Sequence, residues 1–99
     1  MYESMNDERK RELCKLLASN LATLRTKANL KQHELADKLG LSRQTISVIE
    51  NGKRIMEWST FTAIALLFLR NREIKELMVV MGIIDSSVDE LLNIEKKGC

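Results

Sequence analysis

The sequence predicts an all-α fold, and three observations carry that expectation. Proline is absent and glycine occurs four times in 99 residues, so little in the chain interrupts a helix. Leu, Ala, Lys, Glu and Arg are abundant, and these are strong helix formers. Apolar residues also recur three and four apart along most of the chain, which is the spacing of one helical face. Few glycines and few aromatics argue against a sandwich or barrel. A chain of this length forms one domain with at most a short appendage, and buries a modest single core.

Residues 1–5 read as disordered. Asn6 or Asp7 caps the first helix, and Asp7 and Glu8 suit its positive end. Leu13, Leu16, Leu17, Leu21 and Leu24 recur at helical spacing, with Cys14 beside them. The helix reaches Lys27 or Ala28. Asn29 stops it, because asparagine tolerates the left-handed conformation. Leu30 packs inward. A second helix opens at Gln32 and carries Leu35, Ala36 and Leu39 on one face. Gly40 ends it in the left-handed conformation without a Cβ clash. Leu41 covers the junction. Ser42 caps a third helix whose buried stripe is Ile46 and Ile49, and Gly52 closes it. Ala36 is small where two helices cross steeply over a short turn.

Ile55, Met56 and Glu57 lead to the next helix. A fourth helix runs from about Glu57 or Trp58 to Arg70, with Phe61, Ile64, Ala65 and Phe68 as its core stripe. Trp58 lies near that face. Leu66, Leu67 and Leu69 fall outside it, so the helix is apolar over most of its circumference, as helices buried on more than one side are. A fifth helix, Asn71 to Met81, aligns Ile74, Leu77, Met78 and Met81. Val79 and Val80 are surplus, and the run Leu77 to Ile84 also fits a strand. Gly82 stops this helix. Ser87 with Glu90 forms a capping-box pattern for a short last helix through Val88, Leu91, Leu92 and Ile94. The expected organisation is a body over residues 1–70, whose long first helix extends past it by two turns, and a helical extension over residues 71–99. That extension either binds a partner or folds back on the first helix.

Gln32 to Asn51 is thus two short helices joined by a tight turn, the helix-turn-helix pattern. The second helix of such a pair fits the DNA major groove, with its N-terminal side chains at base edges. Arg43, Gln44 and Ser47 sit on the face that Ile46 and Ile49 leave free. Arginine pairs with guanine and glutamine with adenine, each in two-pronged fashion, and Val48 suits a thymine methyl. The charge distribution agrees. Between Arg25 and Arg54, Lys and Arg outnumber Asp and Glu seven to three. Residues 1–24 balance at four each, and residues 55–99 carry five basic against seven acidic. Positive charge is concentrated where a phosphate-facing surface needs it.

The stretch resembles the phage-repressor type of domain, the Cro/repressor or XRE-like family. The likeness covers roughly Leu21 to Phe68. It rests on Arg25, Gln32, Leu35-Ala36, Gly40, Ile46, the run Ile49-Glu50-Asn51-Gly52-Lys53, and Ile64-Ala65. It implies a five-helix, lambda-repressor-like helix-turn-helix domain, here with an extra C-terminal helix. It also implies an ion pair between Arg25 and Glu50, a Gln32 amide that bridges a phosphate and the recognition helix, and phosphate contacts from Lys53 and Arg54, which Ser42 and Thr45 join. Arg43, Gln44, Ser47 and Val48 are the expected base contacts. Three places depart from the family pattern. Asn29 stands for a glycine, Lys31 stands where a Ser or Thr N-cap is common, and Ile55-Met56-Glu57 replaces a proline-containing entry to helix 4, which implies a loosely held loop there.

The function expected is a sequence-specific regulator of transcription that binds double-stranded DNA. It is read as a repressor on a near-palindromic operator, working as a homodimer through helix 5 and the C-terminal helix. The alternative is an antitoxin-like interaction module whose C-terminal helices bind a different protein, with autoregulatory DNA binding. An enzyme is not expected, since no nucleophile-base pair and no glycine-rich phosphate loop appears. His33 is alone on an exposed-looking face. Cys14 and Cys99 form no C-x-x-C pair, so neither a metal nor another cofactor is expected. The apolar runs are far shorter than the ~20 residues of a membrane span, and a cytoplasmic location with reduced thiols follows. No ligand-binding domain is apparent, so inducer sensing is assigned to a partner or to proteolysis.

Overall fold

A computed structural model describes residues 6–85 and 88. It consists of α1 (Asp7–Lys27), α2 (Gln32–Leu39), α3 (Arg43–Glu50), α4 (Trp58–Phe68) and α5 (Arg72–Val80). There is no strand among the described residues. The strand alternative for Leu77 to Ile84 fails because α5 continues to Val80 and a turn follows. The expected fold class therefore holds.

Side-chain caps set three of the helix starts. Asn6 Oδ1 accepts from the Arg9 amide at 2.8 Å, so Asn6 rather than Asp7 is the cap of α1. Ser42 does the same for α3 and Asn71 for α5. At Lys31 the cap works in reverse. Its side chain offers no acceptor, but Glu34 accepts from the Lys31 amide at 2.8 Å. The missing Ser or Thr is offset by this half of a capping box. The helix ends share one device. After α1, Asn29 lies at φ 64°, and the Leu30 and Asn29 amides bond back to Arg25 and Thr26 carbonyls. That pair of bonds around a left-handed residue satisfies the last carbonyls of the helix. Gly40 at φ 72° repeats it after α2, with Leu41 bonding to Ala36.

One core runs through all five helices. Leu13, Leu17, Leu21 and Leu24 form the buried seam of α1, which packs against α3, α4 and α5. Leu35 and Ala36 of α2 meet Ile46 and Ile49 of α3, and this pair of helices packs more extensively than any other. Phe61, Ile64, Ala65 and Phe68 complete the centre from α4. Each fully buried Leu, Ile or Phe contributes roughly 1.5–3 kcal/mol relative to exposure. The exposed Arg72–Glu76 pair at 3.9 Å adds little beside that.

Three local expectations are corrected. The loop before α4 is not loosely held: Met56 is buried and anchors it. The first turns of α1 do not extend free of the body. Arg9 donates to the Asp85 carboxylate, and Lys10 lies 5.5 Å above the Trp58 ring, which stacks on Phe61 at 4.6 Å. Burial of α4 on more than one side stops at Leu66, which is exposed, while Leu67 and Leu69 are half-buried.

The segment after α4 joins the same core through Ile74, Met78, Ile83, Ile84 and Val88. One face of α5 is thus internal, and Val79 and Val80 remain exposed on another. Asp85 accepts from the Val88 amide at 3.0 Å, a helix-capping bond. The capping box of Ser87 and Glu90, the helix through Leu91, Leu92 and Ile94, residues 1–5 and Cys99 all lie outside the described residues.

Candidate nucleic-acid interface

The sequence folds Gln32 to Asn51 into a rigid two-helix unit whose apolar faces are turned inward. Ile46 and Ile49 are buried, which fixes the rotation of α3. Arg43 and Gln44 in its first turn are then exposed, and Ser47 and Val48 are half-buried beside them. Ser42 Oγ accepts from the Thr45 amide at 3.1 Å and lies 2.9 Å from the Thr45 hydroxyl. This double link squares off the start of α3. Lys53 and Arg54 follow α3 in an exposed loop, and neither makes an ion pair among the described residues.

A hydrogen-bonded chain runs beneath this surface. Arg25 of α1 holds Glu50 of α3 with two prongs, Nε to Oε2 at 2.7 Å and Nη2 to Oε1 at 3.1 Å. A third Arg25 nitrogen donates to the Leu30 carbonyl at 2.9 Å. Gln32 Nε2 donates to Glu50 Oε1 at 2.9 Å, and Arg43 donates to Gln32 Oε1 at 3.2 Å. Four of the residues singled out in the sequence are therefore joined: Arg25, Glu50, Gln32 and Arg43. The Arg25 and Glu50 side chains are 15% and 7% exposed. Every buried side-chain polar atom among the described residues has a partner.

That Gln32 reaches the recognition helix is what the resemblance implies, but its particular partners there, Arg43 and Glu50, were not legible in the sequence. The signal lies in the fold: the crossing of α2 over α3 brings the first residue of each helix side by side. Ser42, Thr45, Lys53 and Arg54 stand apart from that chain, around the two ends of α3. His33 is exposed. No group of three His, Cys, Asp or Glu among the described residues is arranged to hold a metal ion. No helix among them is long and apolar enough to cross a membrane.

An exposed polar face on a short capped helix, held over a second helix and flanked by free cations, defines a helix-turn-helix DNA-binding protein. A family model described as helix-turn-helix matches residues 21–65. These residues form a helix-turn-helix domain of the Cro/repressor, XRE-like family, and the chain is a DNA-binding regulator of transcription. No curated protein and no solved structure matches the chain.

Proposed function

We propose that the protein is a repressor that occupies a near-palindromic operator as a homodimer in the cytoplasm. The observation that carries the base-reading half is the exposed first turn of α3. Arg43 and Gln44 project there from a helix whose rotation and start are both fixed. Arg43 reads a guanine, Gln44 an adenine, and Ser47 with Val48 the neighbouring pair. Gln32, Ser42, Thr45, Lys53 and Arg54 position the domain on phosphates, and the last four carry no sequence information. Gln32 already spends its amide oxygen on Arg43 and one amide hydrogen on Glu50. Its phosphate contact therefore uses the remaining hydrogen, helped by the free backbone amides at the start of α2.

A single recognition helix reads a few base pairs, and two related by a dyad read half-sites about 34 Å apart. The exposed Val79 and Val80 on α5 supply an apolar surface for that pairing. The same surface is what an antitoxin-like module would offer to a different protein.

Selection from random duplex DNA at about 0.15 M salt tests the reading. An enriched inverted repeat supports the homodimer, and its spacing reports the geometry. An enriched single half-site keeps base reading and rejects the dimer. No enrichment rejects base reading by this chain alone and turns the reading toward a required protein partner.

A further inference from the structure

Between α1 and the C-terminal end of α3 lies a cleft of about 540 Å³. Small-molecule sites span roughly 300–1,000 Å³. The floor is apolar, made by buried Cys14 and Ile49 with half-buried Ala18. Burial pushes the Cys14 thiol pKa up, so it stays neutral and behaves as a small apolar group. Two exposed cations, Lys15 and Arg54, stand at the rim. Neither makes an ion pair among the described residues. The one carboxylate at the cleft, Glu50, is already held by Arg25 and Gln32. An apolar floor under unpaired positive charge complements a molecule with a short hydrocarbon body and one negative head.

We propose that this cleft binds a small amphipathic carboxylate, and that its occupancy draws Arg54 away from DNA. The second half rests on the reading of Arg54 as a phosphate contact. A guanidinium engaged by a carboxylate in two-pronged fashion is not available to a phosphate. The coupling is reciprocal: the ligand lowers DNA affinity by the same factor by which DNA lowers ligand affinity. The regulator thereby responds to a metabolite within its DNA-binding body.

The test begins without DNA, so that it stands apart from the DNA reading. Octanoate is titrated into the full chain and the backbone amide NMR signals of Ser19, Asn51 and Gly52 are followed. Saturable shifts are expected, with a dissociation constant on the order of 1 mM or tighter. Octylammonium should bind at least about tenfold more weakly, as should octanoate to Lys15→Glu, an exposed substitution that leaves the core intact. Ala18→Trp, checked for folding by circular dichroism, should block the floor. Absence of saturable shifts, equal binding of octylammonium, or unchanged binding to Lys15→Glu would overturn the site. Octanoate shifts that appear only after residues 1–5 are deleted would assign the cleft to that segment instead. A second arm measures affinity for a selected duplex with and without saturating octanoate, and a loss of about fivefold is expected. Unchanged DNA affinity alongside intact cleft binding would reject the coupling alone.

Discussion

Gln32 accepts a hydrogen bond from Arg43 at 3.2 Å while its amide nitrogen donates to Glu50 at 2.9 Å. One side chain on α2 therefore ties the first residue of the recognition helix to the last. Arg43 projects toward solvent, yet its guanidinium is held before any DNA arrives. Holding a long side chain in advance reduces the rotamer entropy lost on binding. Glu50 is the centre of this arrangement, because it receives Arg25 and Gln32 together.

Glu50→Ala should accordingly act on the fold first. It leaves the largely covered Arg25 guanidinium without its carboxylate, and an orphaned charge of that kind costs about 3 kcal/mol. The melting temperature should fall by more than roughly 10 °C, a larger effect than any change in the base preference of the surviving folded protein. Thermal melts alongside a duplex selection check both parts. Equal melting of the two proteins would sink the structural role.

Arg43→Ala and Gln32→Ala should differ in a way that isolates the tether. Removing Arg43 should cost about 1–3 kcal/mol at one base pair and relax specificity there. Removing Gln32 keeps the guanidinium but frees it, and costs about 1 kcal/mol at the same base pair. Competition binding against single-base operator variants reads this out. A Gln32→Ala loss spread evenly over all positions would show that Gln32 serves phosphate only.

Local chemistry explains how much of this was legible in the sequence. Asn29, Gly40 and Ser42 announce helix ends because their backbone or side-chain chemistry is nearly unique in those roles. Ile46 and Ile49 announce the buried face of α3 by spacing alone. Met56 announced nothing. A methionine in a loop carries no periodic signal, and its burial depends on where α4 passes. The tie from Arg9 to Asp85 spans most of the chain, and no local pattern encodes such a pairing. The bond from the Lys31 amide to Glu34 became evident only from the geometry.

Gly40→Ala should separate torsion from crowding. A Cβ built at Gly40 meets nothing within 4 Å, but the backbone there lies at φ 72°. The cost is therefore conformational, about 1–2 kcal/mol. Gly40→Asn should recover part of it, since asparagine tolerates this region. Denaturant melts of the three proteins give the order, and an alanine variant as stable as wild type would reject the argument. DNA affinity below the melting transition should be unchanged in each.

Arg54→Ala should weaken binding to every duplex alike. A lost phosphate contact removes one released counterion, so the slope of log affinity against log salt should flatten by about one unit. Titrations at several salt concentrations with specific and unrelated duplexes give the slope. A loss confined to one DNA sequence would instead place Arg54 at a base edge.

Val80→Glu tests the proposed pairing at its most exposed apolar residue, where Val80 is 82% accessible and Val79 50%. Nothing in the monomer core depends on Val80, so the isolated fold should change by no more than about 0.5 kcal/mol. A carboxylate placed on each side of a dyad meets its own copy, and like charges brought together there oppose association. Wild type should sediment as a dimer at micromolar concentration and the variant as a monomer. The variant should then lose affinity for an inverted repeat far more than for a single half-site, because the second half-site no longer benefits from high effective concentration. A wild-type chain that sediments as a monomer both free and on its operator would end the dimer proposal. Base reading by α3 would then stand on its own.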